Sequence, residues 1–452
     1  MTVSTERESR DLFHPGLFAA GLLSVLFAAH AAEAIDLGLI SRYVGISLGS
    51  GAIYLIAVGI VIWRPPLRRD FALILLVALV LRGMALTPAP NLSTDAYRYV
   101  WDGRVQAAGF NPYLYVPADE RLEHLRDQSI YPSINQKEHA VTIYPPTAEL
   151  LFRIGHWIDD SLTGIRTVMA LLDLVTIGAL ILLLGQLGWA RERIIIYAWH
   201  PLPIWEFVSQ SHIDAAATAG IALGLLAAVR GRQGLTGAIF AVSALIKYFP
   251  VVLLPALWRH FDWRLPTAFV ATAVLFYLPY VGEAGRQVLG FLGSHLDNEG
   301  YRAGWGFHSI WLLRDFGLAD PPVGLYLGAA FALFAGLALF TLMQRRADEL
   351  RFDHLLLLGG AFVFLVSPHY PWYFGFLVAL LVLAPRAWAF AMTLMAVVLQ
   401  LPRPPGGVTW TELYFAVYWL PLALLLGSLM AGRGRRMGAP GARRITASAS
   451  SR

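Results

Sequence analysis

The sequence predicts an all-α polytopic membrane protein. Of its 452 residues, 57% are hydrophobic and only 14% are charged, and the apolar residues form repeated runs long enough to cross a bilayer as helices. Soluble domains carry about 25% charged residues. Because the charge deficit falls mostly inside the apolar runs, we expect a single membrane domain and no large soluble domain.

The candidate membrane spans are read directly from the apolar runs. They are residues 15–35, 44–63, 71–86, 162–187, 194–208, 215–229, 237–257, 266–280, 323–343, 354–366, 373–383, 388–401 and 414–430. Counting the run 237–257 as two short helices, the pattern predicts about 12–14 transmembrane helices.

Clusters of Lys and Arg predict which face of the membrane each loop occupies, because such residues in short loops favour the cytoplasm. The clusters lie at residues 63–70, 190–193, 229–232, 258–264, 343–351, 385–386 and 432–436. If the chain crosses the membrane once per span, all clusters and both termini fall on the cytoplasmic side, with one conflict. The run 237–257 joins the clusters 229–232 and 258–264, which both favour the cytoplasm, so a single crossing there would separate them.

That run, 237–257, is best explained as two short helices broken at residues 247–250, which enter from the cytoplasm and return to it. Pro250 removes a backbone donor and disfavours a helical conformation for the residue before it. Broken helices at membrane depth occur where the backbone lines a cavity inside the protein. The alternative is one ordinary span with a proline kink.

With this topology, five polar stretches share the non-cytoplasmic side. They are residues 91–144, 211–216, the break at Lys247, 282–322 and 367–373. We therefore expect these stretches to converge on one face.

The domain organisation follows from the same pattern. Residues 1–14 are predicted to be a cytoplasmic tail, and residues 15–432 the membrane domain with large outer loops at 91–144 and 282–322. Residues 433–452 are predicted to be a basic disordered cytoplasmic tail on anionic lipid; the alternative is a solvated chain end without a lipid contact. The chain has no cysteine, which excludes disulfides and thiolate metal sites.

The first outer loop contains a charged helical pattern. Asp95, Arg98 and Asp102 are spaced so that they share one face of a helix, with Tyr97 and Trp101 on a neighbouring aromatic face. On spacing alone, this pattern fits two interpretations equally well: a substrate site, or a solvated interfacial helix with an internal Asp–Arg pair.

The second and third polar stretches carry further candidates. Glu206 lies inside an apolar run, where an acid is costly and suggests a function. His212 and Asp214 can bind a phosphate or sugar hydroxyls, although Asp214 can instead cap a helix. Lys247, at the helix break, is a candidate phosphate clamp; the alternative is that it only extends toward the membrane surface.

The last two polar stretches mix cations with aromatic residues. Arg302 and His308 lie in the segment 298–315, which can close over a lipid-linked substrate or form an amphipathic interfacial helix. His369 and Tyr370 follow the end of a span, where a ligand-binding role and a buried structural role are about equally expected.

No metal or nucleotide motif is present in the sequence. It contains no H-E-x-x-H, no Walker loop and no G-x-G-x-x-G that opens a helix after a strand. Asp95 and Asp102 alone do not form a cage for a hard cation. We expect no metal, no cofactor and no nucleic-acid partner.

Taken in order, the motifs resemble those of the integral-membrane glycosyltransferases of the GT-C superfamily. The resemblance is closest to family 87 and the polyprenyl-phosphate-mannose-dependent mannosyltransferases, and more distant to the PIG-M type. The matching motifs are TDAYRYVWDGRVQAAGFNPY (94–113), IYPP (143–146), PLPIWEFVSQSHIDA (201–215), ALIKYFPVVLLPAL (244–257) and SPHYPWY (367–373).

The resemblance implies a GT-C fold with long non-cytoplasmic loops and an inverting transfer from a sugar on a polyprenyl monophosphate, with mannose as the expected sugar. It also implies a general base in the first outer loop, at the position that Asp95 matches. Such chemistry needs cations on the departing phosphate, for which we expect Lys247, assisted by Arg302, His308 or His369. The remaining candidates for donor binding are Arg98, Asp102, Arg104, Tyr144, Glu206, His212, Asp214, Tyr248 and Tyr370.

The expected partners are the lipid-linked donor, a lipid or glycan acceptor and membrane lipids. The expected location is the inner membrane, with the active site on the periplasmic side. Two other functions remain open at this point: a transporter or flippase of a lipid-linked sugar, suggested by the broken helix, and a non-catalytic assembly subunit.

Overall fold

A computed structural model describes residues 12–430 of the chain, apart from residues 261, 291–296, 298, 346–348 and 404–407. All regular elements in these residues are helices, which confirms the all-α prediction. The predicted C-terminal tail, and all but the last three residues of the predicted N-terminal tail, lie outside the described residues.

The helices are numbered in chain order. The α-helices are α1 (Pro15–Asp36), α2 (Ile40–Trp63), α3 (Asp70–Ala85), α4 (Asp95–Ala107), α5 (Pro146–Ile158), α6 (Leu162–Gln186), α7 (Ile195–Ala198), α8 (Asp214–Val229), α9 (Gln233–Ala244), α10 (Leu254–Leu257), α11 (Arg264–Ala284), α12 (His308–Asp315), α13 (Val323–Met343), α14 (Phe352–Val366), α15 (Gly375–Leu383), α16 (Ala387–Met395), α17 (Trp410–Tyr414) and α18 (Leu420–Met430). Two π-helical segments span Pro203–Ser209 and Phe415–Trp419. Short 3₁₀ turns span Glu120–Leu125, Tyr131–Ser133, Arg191–Ile194, Phe249–Leu253, Gly285–Leu289, Pro371–Phe374 and Ala396–Gln400.

Several of these helices are long and apolar enough to cross a membrane, which makes the protein a polytopic membrane protein. In the described part of the chain there are 6 such helices, or up to 7 if the bent pair formed by Pro203–Ser209 and α8 counts as one span. The apolar windows of α13 and of Arg264–Val288 are only 0% and 6% buried in the protein, so these two helices expose most of their surface to the bilayer.

The 12–14 transmembrane helices predicted from the sequence exceed the 6 or 7 candidate spans among the described helices. The difference arises because a short helix buried among other helices is also an apolar run in the sequence. Helix α15 shows this effect: all of its residues are buried. Its length, like those of α9 and α14, is below that of a full span.

The prediction of a single span at residues 194–208 is wrong. The chain forms α7, breaks around Pro201, and continues as the π-helical segment Pro203–Ser209, which meets α8 at a bend of 116°. Proline lacks the backbone N–H that would continue the helix, which explains the break. Short π-helical segments are frequent at functional sites.

The predicted helix break at Lys247 is present. Helix α9 ends at Ala244, and the chain returns through the turn Phe249–Leu253 and α10. The backbone N–H of Arg259 donates to the side-chain oxygen of Gln233 at 3.3 Å, so the two basic clusters at either end of this segment lie side by side. A single straight span would have separated them, which excludes the alternative of one kinked helix.

Helix α4 is buried, not solvated. Tyr99 and Trp101 are each 1% exposed, and Asp102 is also 1% exposed. Gly103 brings α4 against α5 so closely that a Cβ atom there would lie 2.3 Å from the carbonyl oxygen of Phe152. The interpretation of this stretch as a solvated interfacial helix is therefore wrong.

Candidate active site

The five polar stretches meet around one aromatic ring, that of Tyr373. The charges of Asp95, Asp214 and Glu299 all act on its hydroxyl, and the ammonium of Lys247 lies 3.9 Å from the ring centroid. Each of these residues comes from a different one of the polar stretches that the sequence placed on one face. The predicted convergence is therefore present in the structure.

Asp95 is the first residue of α4 and is partly buried. Its backbone N–H donates to the hydroxyl of Ser93 at 3.2 Å. Among the residues that the structure describes, its carboxylate accepts no hydrogen bond and forms no ion pair, while its charge acts on the phenols of Tyr99, Tyr144 and Tyr370. A carboxylate in this state is available to accept a proton.

The second acid of the same helix face is fully engaged. Arg98 donates from one nitrogen to both carboxylate oxygens of Asp102, at 2.8 and 2.9 Å, and from another nitrogen to the carbonyl of Ala140 at 3.0 Å. Burial raises the pKa of Asp102 in spite of the neighbouring Arg98. The Asp–Arg pair expected from the spacing therefore forms with Asp102, and it ties α4 to its outer loop.

Glu149 supports this arrangement and was missed by the sequence reasoning. It is fully buried on α5, where it accepts hydrogen bonds from Thr142 at 2.6 Å and from Gln106 at 2.8 Å. Burial, reinforced by the charge of Asp102, raises its pKa well above the usual range. The available signal was an acid among the apolar residues that directly follow the IYPP motif.

Arg104 fixes the outer loop. It donates to Asp127 at 2.9 Å, to Asp160 at 3.0 Å and to the carbonyl of Leu125 at 3.0 Å. Burial acts to raise the pKa of Asp127, but hydrogen bonds from the backbone N–H of Ile130 and from Arg104 lower it to about 2. These contacts favour a structural role for Arg104.

Lys247 and Asp214 form an ion pair of 2.7 Å, and Asp214 is 1% exposed. Asp214 is 33 residues before Lys247 in the sequence, and the break after α9 and the start of α8 bring the two side chains together. Asp214 makes no side-chain cap for α8. Its other carboxylate oxygen is buried without a hydrogen-bond partner in the described structure.

His212 is held by contacts with Trp372 and Glu206. Its ring stacks on Trp372 with centroids 3.7 Å apart, and its Nδ1 lies 3.0 Å from the carbonyl oxygen and 3.3 Å from a carboxylate oxygen of Glu206. Gln400 donates to the other carboxylate oxygen of Glu206 at 3.2 Å. Glu206 is therefore an internal partner of His212.

Several buried polar atoms in this stretch have no hydrogen-bond partner in the described part of the chain. They are Nε2 of His212, Oδ1 of Asp214 and the hydroxyl of Ser211. Buried polar groups are almost always satisfied by protein or ordered water. Because Asp214 pairs with Lys247, these atoms lie in the same region, and they indicate that water or polar groups of a substrate bind there.

Backbone strain marks the same region. Ser211 and Ser367 have positive φ angles of 62° and 58°, which residues other than glycine adopt rarely. Each is the first residue of one of the five polar stretches. Such conformations persist where the surrounding structure imposes them, and they cluster at functional sites.

The segment containing Glu299 docks onto the loop at His369. Nδ1 of His369 lies 3.2 Å from the Glu299 carboxylate, Nε2 lies 2.9 Å from the carbonyl of Gly306, and Tyr370 donates to Glu299 at 3.2 Å. The rings of Tyr301 and His369 stack at 5.4 Å. Both ring nitrogens of His369 are therefore engaged by the protein.

His308 is fully buried among other residues of the protein. Its Nε2 lies 2.9 Å from the carbonyl of Phe364, its backbone N–H donates to Ser367 at 3.2 Å, and its ring stacks on Tyr418 at 4.5 Å. Burial lowers its pKa to about 4, so the ring is neutral near pH 7. These contacts favour a structural role.

Two other predicted residues lie at the rim. Arg302 pairs with Asp297 at 2.7 Å while 78% of its side chain stays exposed. The hydroxyl of Tyr248 is 3.4 Å from that of Tyr277, at a half-exposed position.

Arg403, which the sequence reasoning did not select, also borders the site. Its guanidinium lies 4.0 Å from the ring centroid of Trp410, and its charge acts on Tyr370 and Tyr414. The sequence signal was an arginine between two prolines at the end of an apolar run, a pattern that by itself indicates only a loop.

Among the described residues, no group of three or more His, Asp or Glu side chains is arranged to hold a metal ion. In the described structure, the other acids of the site are engaged within the protein: Asp102 by Arg98, Asp214 by Lys247, Glu299 by His369 and Tyr370, Glu206 by Gln400, and Glu149 by Thr142 and Gln106.

Comparison with known proteins gives a family match. The family model described as Glycosyltransferase family 87 matches residues 142–368, a segment that includes Asp214, Lys247 and Glu299 and begins after Asp95. No curated protein and no solved structure gives a significant match. The matched segment covers half of the chain and contains in full three of the five stretches that converge on the Tyr373 ring, namely 211–216, Lys247 and 282–322. On the basis of this match, the chain belongs to glycosyltransferase family 87.

Proposed function

We propose that this glycosyltransferase transfers a sugar, expected to be mannose, from a polyprenyl-phosphate donor to a lipid or glycan acceptor, with inversion at the anomeric carbon. The observation that carries the proposal is the unengaged carboxylate of Asp95 at a site where the neighbouring acids Asp102, Asp214 and Glu299 all have partners. Asp95 is the acid that remains available to act as a base.

In the proposed reaction, Asp95 accepts the proton of the attacking acceptor hydroxyl. The hydroxyl oxygen forms a bond to the anomeric carbon as the bond from that carbon to the phosphate oxygen breaks. The electron pair of the broken bond leaves with the polyprenyl monophosphate. Attack opposite the leaving group inverts the configuration, so no covalent sugar–enzyme intermediate is needed.

Aromatic residues at the site suit the sugar. Tyr370 and Trp372 stack with centroids 4.6 Å apart, and Tyr370 is 38% exposed. An apolar ring face offers contact area to the C–H face of a sugar, while hydroxyl groups provide hydrogen bonds. Asp95, which acts electrostatically on Tyr370, is then close to a sugar bound on this ring.

The proposed location is the non-cytoplasmic face of the inner membrane. Gln233 and Lys247 lie at opposite ends of α9, whose 12 residues span about 18 Å. The basic clusters are at the Gln233 end, and basic clusters favour the cytoplasm. The site, at the Lys247 end, then faces away from the cytoplasm.

A transfer assay tests the proposal. Purified protein in lipid nanodiscs should transfer radiolabelled mannose from a synthetic polyprenyl-phosphate donor to an extracted lipid or glycan fraction, and should do so in EDTA, because the proposed charge balance needs no divalent metal. Movement of the donor across proteoliposomes without product would contradict a transferase and favour a flippase. If EDTA abolished the transfer activity and Mg²⁺ restored it, the proposal that the reaction needs no divalent metal would be wrong.

A further inference from the structure

The cations that the sequence suggested for the donor phosphate are already engaged by the protein. Lys247 is paired with Asp214 at 2.7 Å, Arg302 is paired with Asp297 at 2.7 Å, and both ring nitrogens of His369 have partners. A departing phosphate gains negative charge, and a cation that an acid already balances stabilises it less than an uncompensated one.

Arg403 differs from these residues. In the described part of the chain, its guanidinium forms no ion pair and no hydrogen bond with another side chain, and it is held at 4.0 Å over the ring of Trp410. Stacking on an aromatic face uses the face of the planar guanidinium and leaves its in-plane N–H groups available. Those N–H groups match the oxygens of a phosphate in a bidentate arrangement.

The position of Arg403 relative to the base also fits. Tyr370 lies within electrostatic reach of both Asp95 and Arg403. In an inverting displacement, the base and the leaving phosphate occupy opposite sides of the anomeric carbon, so a sugar must fit between them. The partly exposed ring of Tyr370 is a surface on which that sugar can lie.

The surroundings of Arg403 connect it to the rest of the site. Trp410 lies 5.2 Å, centroid to centroid, from His369, which contacts Glu299, and Glu299 accepts a hydrogen bond from Tyr370. Arg403 is thus the outer member of a continuous set of contacts that leads to the acids around Tyr373. It is exposed, and a ligand can approach it from the bulk or from the membrane surface.

We propose that Arg403 binds the phosphate monoester of the lipid-linked donor and stabilises it as it leaves. This proposal rests on the proposed function for the identity of the ligand. A phospholipid headgroup presents the same phosphate chemistry, and the experiment separates the two sources.

The test measures binding of polyprenyl monophosphate, the product, and of uncharged polyprenol to protein in phosphatidylcholine nanodiscs. Arg403→Gln should weaken polyprenyl monophosphate binding about 10-fold or more, because charge-assisted hydrogen bonds are lost, and should leave polyprenol binding unchanged. Arg403→Lys should bind polyprenyl monophosphate with an affinity between those of the unaltered protein and Arg403→Gln, because lysine keeps the charge but not the bidentate geometry.

Arg314→Gln is the matched control. Arg314 also lies over a tryptophan, at 4.6 Å from the ring of Trp305, but it pairs with Asp320 at 2.6 Å. Its substitution should leave polyprenyl monophosphate binding unchanged. Thermal unfolding of each variant in the same nanodiscs identifies any protein that has lost its fold.

Three outcomes would overturn the proposal. They are unchanged binding of polyprenyl monophosphate to a folded Arg403→Gln variant, an equal loss for the monophosphate and for polyprenol, and competition by added phosphatidylglycerol as effective as that by the monophosphate. The third would assign Arg403 to phospholipid headgroups. If binding depends on Arg403 while no sugar is transferred, the inference stands and the proposed function fails.

Discussion

At the scale of single residues, pairing decides which charges can act. The spacing of Asp95, Arg98 and Asp102 predicted one helix face, but it could not show that Arg98 is bonded to Asp102, which leaves Asp95 unengaged. That outcome depends on the rotamer of Arg98 and on its second bond to Ala140. Likewise, Lys247 and Asp214 are 33 residues apart and meet only through the fold.

The pair of Lys247 and Asp214 gives a stability prediction. Lys247→Met leaves the buried carboxylate of Asp214 without its cation, which should destabilise the protein by about 3 kcal/mol, the low end of the range for broken buried pairs. The double variant Lys247→Met with Asp214→Asn removes both charges and should recover most of the loss. Thermal unfolding in detergent should rank the unaltered protein as the most stable, the double variant next and Lys247→Met last. A double variant less stable than Lys247→Met would contradict the prediction.

At the scale of elements, the sequence predicted the long helices and the break at Lys247 because both leave local signals, namely apolar length and Pro250. It did not predict the π-helical segment Pro203–Ser209, because its residues are as apolar as those of a span and its bend depends on packing. The short buried helix α15 was read as a span for the same reason. Local patterns report burial, but they do not distinguish lipid from protein as the surrounding medium.

The contact between α4 and α5 gives a prediction at this scale. Gly103→Ala places a Cβ 2.3 Å from the backbone oxygen of Phe152, so the two helices must separate and the position of Asp95 must shift. We expect a lower unfolding temperature and a loss of transfer activity of about 100-fold, as for a misplaced catalytic group. Gly83→Ala, where an added Cβ meets nothing within 4 Å, is the matched control and should have near-normal stability and activity.

At the scale of the whole molecule, the fold brings five distant stretches to one end of a helical membrane protein. The family match covers residues 142–368 and so includes the acids and the lysine around Tyr373, while the proposed base lies in the preceding loop. The sequence predicted the convergence because the basic clusters and the order of the spans indicate which face of the membrane each loop occupies. It could not predict the side-chain contacts within the cluster, which depend on three-dimensional packing.

Sidedness can be measured directly, because the chain has no cysteine. Ala319 and Ala190 are both exposed, the first in the outer loop 282–322 and the second in the basic cluster 190–193. In intact spheroplasts, a membrane-impermeant maleimide should label Ala319→Cys and should label Ala190→Cys only after permeabilisation. The reverse pattern would place the site on the cytoplasmic face.

The transfer rate of Asp95→Asn, measured with saturating lipid-linked donor, tests whether Asp95 is the general base. Loss of a positioned base should lower kcat about 100- to 10,000-fold, with little change in donor binding. Glu138→Gln, a change to an exposed acid in the same loop, should keep full activity. If Asp95→Asn folds, binds the donor and transfers sugar at the rate of the unaltered protein, Asp95 is not the general base.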